Sequence, residues 1–263
     1  MMQFCANLSL MYTEYPLRER FAAAKQDGFD AVEIQFPYEI PLVELQSLLA
    51  EQSLQCILIN VPAGDLMAGG EGLACVPERQ PLFNEALALC VTYAQGLGVR
   101  CVNVLSGRCT QPERQEQYWQ TLQGNLRQAA DALQPLGILA TFEAINTHDM
   151  PSFMISSAQQ MLDVITEINH PNLKAQWDLY HMARMNQPLV SWIQEHVEHV
   201  GHIQFADSPQ RHEPGTGELD FPSLFSAIRD SGYSGWVGAE YRPSGSTTDS
   251  LSGWFPQWNR ASS

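Results

Sequence analysis

Basic residues are scarce: 14 Lys and Arg stand against 29 Asp and Glu in 263 residues, a formal charge of −15. A surface of that sign repels polyanions such as DNA unless it carries a local basic patch. No Lys/Arg cluster interrupts the sequence, so no nucleic-acid partner is expected. The six cysteines, Cys5, Cys56, Cys75, Cys90, Cys101 and Cys109, form no C-x-x-C pair, and three lie in apolar strand-like runs. Reduced, buried thiols and a cytoplasmic setting follow. No run approaches the roughly 18 apolar residues of a membrane span. The opening MMQFCANLSLMYTEY has neither a basic start nor a long apolar core, so export and a membrane partner are not indicated. GxGxxG and Walker motifs are missing too, and no low-complexity segment or compositional break divides the chain.

Against those absences, 44% of the residues are hydrophobic, enough for a sizeable core, and the length suits one α/β barrel of roughly 250 residues. One unit repeats along the chain. Gln3–Leu10 reads as a strand, Leu17–Gln26 as a helix stopped by Gly28, and Ala31–Phe36 as a second strand. Its Val32, Ile34 and Phe36 share one face while Glu33 points into the barrel. The alternation continues through a helix at Pro41–Gln52, a strand at Gln55–Val61, a helix at Gln80–Leu97, a strand at Cys101–Leu105 and a helix at Pro112–Leu136 ended by Gly137. Ile138–Ala144, Leu173–Asp178, the strand opening GHIQFADSPQRHEPGTGELDF and Gly235–Tyr241 complete the strands. Helices at Ser157–Ile168, Pro188–His199 and Phe221–Asp230, the last capped by Asp220, separate them, and a final helix lies near Ser250–Trp258. Eight strands alternating with eight helices predict an α/β fold, a (β/α)8 TIM barrel forming a single domain over 1–263, rather than an open doubly wound sheet. The Gly- and Pro-punctuated 61–79 loop is too long for a plain connection and reads as a lid or a surface excursion.

Residues at the C-terminal ends of barrel strands converge on one mouth. Glu143, Asp178, Gln204 and Glu240, from the fifth to eighth strands, then line one side of it. Carboxylates gathered in a sheltered mouth repel one another, and raised pKa values or a bound cation must relieve that. Oxygen donors of this kind suit Mg²⁺ or Mn²⁺. A lone strand-end acid more often caps a helix or meets an arginine; recurrence on successive strands is what favours a cation site. In the seventh strand a period of two puts His202, Gln204 and Ala206 on one face and Ile203 and Phe205 on the other. His202 reads as a packed interior residue, Glu33 as a partner of the site rather than a ligand, and His196 and His199 as solvated. The loop that follows offers Asp207, Arg211, His212, Glu213 and a Gly215-Thr216-Gly217 hinge.

Taken together, FCANLSLMYTEYPLRERFAAAKQDGFDAVEIQFPY, the PAGD turn, FEAINTHDMP, QWDLYHM, GHIQFADSPQRHEPGTGEL and GWVGAEYRP resemble the hydroxypyruvate isomerase family, within the xylose isomerase-like TIM-barrel superfamily. The resemblance runs nearly the whole length. It implies that Glu143 and Glu240 are the paired proton donor and acceptor and also bind the metal with Asp178 and Gln204. From sugar epimerases of the superfamily it implies that His181 and Arg211 contact substrate, as does Asp149, which stands where those epimerases often have Glu. The implied reaction turns hydroxypyruvate into tartronate semialdehyde through a cis-enediolate, with a divalent ion as Lewis acid and a positioned base worth roughly 10²–10⁴-fold. A planar guanidinium suits a substrate carboxylate better than an ammonium, which also points to Arg211. 2-Oxo-tetronate isomerase shares most of these positions. A ketose 3-epimerase, a metal-dependent endonuclease and a non-catalytic sugar-acid binding protein are the other readings, the endonuclease opposed by the −15 charge. The expected partner is a small keto acid; a homo-oligomer is left open.

Overall fold

Runs such as AVEI are buried at every position. A strand covered on both faces needs its edges hydrogen-bonded as well, and a closed ring of parallel strands meets both demands. The computed structural model, which describes residues 2–259, has that ring. Strands β1 (Gln3–Asn7), β2 (Ala31–Ile34), β3 (Gln55–Asn60), β4 (Cys101–Asn103), β5 (Leu139–Glu143), β6 (Leu173–Asp178), β7 (Val200–Phe205) and β8 (Trp236–Ala239) follow one another in chain order, all parallel, and β8 pairs back onto β1. Helices α1 (Leu17–Gln26), α2 (Leu42–Gln52), α3 (Gln80–Leu97), α4 (Gln115–Leu133), α5 (Ala158–Ile168), α6 (Leu179–Arg184), α7 (Leu189–His196), α8 (Phe221–Asp230), α9 (Thr247–Leu251) and α10 (Phe255–Trp258) fill the connections. Among the described residues no helix is long and apolar enough to cross a membrane, and all six cysteines are buried free thiols.

Local chemistry sets the helix limits. Ser157 accepts from the Gln160 amide at 3.2 Å to start α5, and Asp220 accepts from the Ser223 amide at 3.2 Å to start α8. Gly98 ends α3 with φ +65°, a left-handed backbone that glycine adopts without strain. The core between sheet and helices is aromatic around Phe225, which meets Phe4, Phe205, Phe221, Trp254 and Trp258 at centroid distances of 5.2–6.4 Å. Phe225→Ala should cost about 3–5 kcal/mol, because little in such a cluster can collapse into the space left. Urea unfolding followed by far-UV circular dichroism measures it.

Three local expectations need correction. The helix near Ser250–Trp258 is two helices, α9 and α10, the second restarting with Pro256 in its first turn. The helix at Pro112–Leu136 is α4 flanked by single 3-10 turns at each end. The 61–79 loop is not structureless: it holds two 3-10 turns, Leu66–Ala68 and Pro77–Arg79, and is packed along part of its length. Asp65 accepts from Arg79 at 2.5 Å and from the Gly72 amide at 3.0 Å, Glu71 accepts from the Thr110 amide and the Tyr118 hydroxyl at 2.9 Å each, and Leu73–Val76 are buried. Only its Leu66–Gly69 part reaches the barrel mouth.

Candidate active site

Polar residues close the strand ends all round the mouth. Asn7, Asn60 and Asn103 end β1, β3 and β4, Glu143 and Asp178 end β5 and β6, Glu240 follows β8, and all six are buried. The amides bind the acids. Asn103 donates to Glu143 Oε1 at 2.7 Å, and Glu240 Oε1 accepts from Gln35 at 2.9 Å, Asn7 at 3.1 Å and Gln204 at 3.3 Å.

Asp178 does two things. Its Oδ1 accepts from the Tyr180 and His181 amides at 2.7 and 3.3 Å, which begins α6 immediately after the strand and brings His181 back over the mouth. Its Oδ2 is buried and makes no hydrogen bond among the described residues, lying 3.5 Å from His181 Nε2 and 3.8 Å from Arg211. His181 Nδ1 sits 2.8 Å from the Asn146 amide nitrogen, and that amide is oriented by Asp149, whose backbone N–H donates to Asn146 Oδ1 at 2.9 Å. Nδ1 therefore accepts, and the neutral ring carries its proton on Nε2. Burial favours that neutral form and pulls the imidazole pKa down to about 4, against the attraction of Asp178.

Arg211 fills the centre. Its Nη2 lies 2.5 Å from Glu240 Oε2, and its guanidinium stacks 5.0 Å above the Tyr180 ring. Burial disfavours its charge, but Glu240, Asp178 and Glu143 together more than offset that and raise its pKa. The loop carrying it is not a hinge. Asp207 accepts four backbone amides, from Ser208, Gly215, Gly217 and Leu219, at 2.8–3.1 Å. Arg211 itself takes a left-handed φ of +62°.

Glu33 and His202 pair beneath the mouth at 2.7 Å, and Glu33 also accepts from Asn7 at 2.8 Å and Gln204 at 2.7 Å. Both stand inside the barrel as anticipated, and Gly238 leaves room for the pair: a Cβ there would lie 2.5 Å from Glu33 Oε2. Gln204 donates upward to Glu240 while its oxygen accepts from Gln176 at 2.6 Å, so it would have to turn its amide over to offer oxygen to a cation. Asp149 sits at the rim, accepting from Tyr180 at 2.8 Å and Asn146 at 3.0 Å. Burial pushes its pKa up, but those two bonds bring it below the ordinary value. A small cavity of about 70 Å³ joins Glu143, Asp149, His181, Arg211 and Glu240.

Residues 21–258 match the profile of the xylose isomerase-like TIM barrel family. The chain belongs to that family. It is 42% identical to hydroxypyruvate isomerase of Escherichia coli strain K12, across 95% of this chain and 97% of that one. It is 38% identical to 2-oxo-tetronate isomerase of Cupriavidus necator, across 97% and 98%. This kinship places the chain among the isomerases. A crystal structure of a protein named AP endonuclease, family 2, from Brucella melitensis superposes with a TM-score of 0.93 at 37% identity, covering 98% and 99% of the two chains.

The sheltered acids set the electrostatics of the site. Burial, then the charges of Glu240 and Asp178, push Glu143 well above the usual carboxylate range. Burial raises Glu240 to about 7, with Arg211 pulling down and Asp178 and Glu33 pushing up. Glu143, Asp178 and His181 bring ligand atoms within 4.8 Å of one another. With the His181 proton on Nε2, the carboxylates are the groups with lone pairs to offer, and the buried Oδ2 of Asp178 is one that no hydrogen bond occupies. The donor set fits a hard divalent ion. Asn7, Gln35, Asn103 and Asn146, which hold these acids and His181, were not singled out by the sequence reading. Asparagine recurring at the ends of β1, β3 and β4 was the available signal.

Proposed function

We propose that this protein interconverts hydroxypyruvate and tartronate semialdehyde, with Glu143 and Glu240 exchanging protons with the two carbons that react. The observation that carries the reading is the pair of buried glutamates bordering one small cavity that also holds Arg211 and His181. Burial raises both acids above the ordinary carboxylate range, which favours the protonated form each passes through as it carries a proton. One takes the C3 proton to give an enediolate and the other delivers a proton to C2, while the O3 hydroxyl proton ends on O2. His181 Nε2–H donates to a substrate oxygen, and Arg211 receives the C1 carboxylate, with Asp149 steadying Tyr180 beneath the guanidinium. A Mg²⁺ or Mn²⁺ ion held by Glu143, Asp178 and Glu240, with Gln204 once its amide turns over, would supply Lewis-acid polarisation of the substrate oxygens. The buried thiols support a cytoplasmic setting.

The 38% identity to a 2-oxo-tetronate isomerase supports a four-carbon acid as the second reading. A nuclease activity, of the kind the Brucella protein is named for, is disfavoured by the −15 charge and by the small volume of the cavity, about 70 Å³. The deciding assay follows hydroxypyruvate, 2-oxo-tetronate and free ketoses by NMR with metal-replete protein, with and without chelator. Chelator-sensitive conversion of a keto acid is expected. Binding without turnover would instead make this a sugar-acid binding protein.

A further inference from the structure

Outside the inner cavity lies a second, open cleft of about 490 Å³, whose walls include Arg108, Arg211, Arg242, Asp149 and Tyr180. Acids outnumber basic residues by 29 to 14 in the whole chain, yet here the ratio inverts to three arginines against Asp149. The charge of Arg211 is already matched by Glu240 and Asp178. The other two guanidiniums are not matched. Arg108 is fixed by two neutral carbonyls, Pro151 O and Gly69 O, each at 2.7 Å, which orient the group without neutralising it. The Arg242 side chain is exposed and makes no hydrogen bond or ion pair among the described residues. Its backbone is held by Arg211 O at 2.8 Å and by the His212 ring at 2.7 Å. Asp149 forms an ion pair with neither of them and spends its Oδ2 on Tyr180 and Asn146.

We infer that this cleft is an anion subsite, in which Arg108 and Arg242 take a second, distal anionic group of a ligand whose C1 carboxylate lies on Arg211. Two uncompensated guanidiniums on one open cleft, that of Arg108 already oriented, offer charge-assisted hydrogen bonds to an oxyanion, and they reverse locally the repulsion an anion meets over the rest of the surface. The subsite extends the isomerase reading above, which supplies the inner end of the ligand; binding of an anion in the cleft does not depend on it. It also sets a length preference, since an acid with more carbons can reach the cleft with a terminal anionic group while its C1 carboxylate stays on Arg211 and its keto carbon at the glutamates.

The test uses the full chain stripped of metal, with Arg211 left on its carboxylates, and titrates malonate against it by calorimetry at low ionic strength. Saturable binding is expected, absent for the uncharged malonamide and weakened by roughly 0.5 M NaCl. Arg242→Gln should weaken it about tenfold and Arg242→Glu should remove it, and neither disturbs a contact of the folded protein. Arg108→Lys, which keeps the charge but loses the planar fork, should weaken it less than Arg108→Gln. No saturable malonate binding by the unaltered protein, or binding indifferent to Arg242→Glu, overturns the subsite. The titration needs neither metal nor turnover, so its failure is distinct from failure of the isomerase assay.

Discussion

Glu143→Gln and Glu240→Gln should each lower isomerisation by about 10²–10⁴-fold or more, while thermal unfolding of Glu143→Gln stays close to that of the unaltered protein. At position 143 glutamine keeps the shape and can still accept from Asn103, whereas at position 240 an oxygen kept toward Gln35 and Asn7 leaves the amide nitrogen facing Arg211, so that ion pair is lost and Arg211 must shift. What is lost is a titrating group on one side of the cavity. The two variants need not behave alike. Solvent-deuterium exchange into the substrate carbon can survive in the variant that keeps the first base, because proton removal is then intact and only delivery fails. Full turnover in either variant would falsify the paired-carboxylate mechanism.

Arg211→Lys should raise KM for hydroxypyruvate about 10–100-fold, the loss expected when charged hydrogen bonds worth about 1.5–3 kcal/mol are removed. A fall in kcat accompanies it if the carboxylate is no longer oriented. The structure sharpens this expectation, since Arg211 also stands between Glu240 and Asp178 at 2.5 and 3.8 Å. A free ketose lacks the carboxylate, so its slow turnover should respond to the neutralising role alone and change much less. Steady-state kinetics on both substrates separate the two roles. An equal penalty on ketose and keto acid would remove the clamp and favour a sugar-epimerase reading.

Much of the barrel was legible because its signals are local. Helices α1, α3 and α8 and strand β6 fall where periodicity and the Gly stops or Asp cap put them, since each has a full apolar face and a clear end. Helix α6 was not legible. LYHMAR has too few residues for a periodic stripe, and its start is set by the Asp178 side chain, which from sequence reads only as a strand-end acid. The same limit governs the site. Glu143, Asp178 and Glu240 announce themselves as charges ending apolar strands, whereas Asn7 and Asn103 look like ordinary turn residues until the ring closes and sets them against those acids. That Arg211 would lie on Glu240 could not be read at all, because it depends on the path of a loop gathered around Asp207.

The seam where β8 meets β1 sets the order in which this site can come into being. Glu240 is held by Asn7, 233 positions earlier, and by Gln35, so the first strands wait for the last one before the second glutamate has a place. Ribosomal synthesis runs the other way. A nascent chain, or one cut before Trp236, already carries Glu143, Asp178 and Arg211, but it has neither Glu240 nor a closed wall to shelter them. The acids would then stand in water with ordinary affinities for protons. Activity in this barrel therefore waits on the last strand, and loss of the chain from β8 onward should silence it outright rather than by degrees.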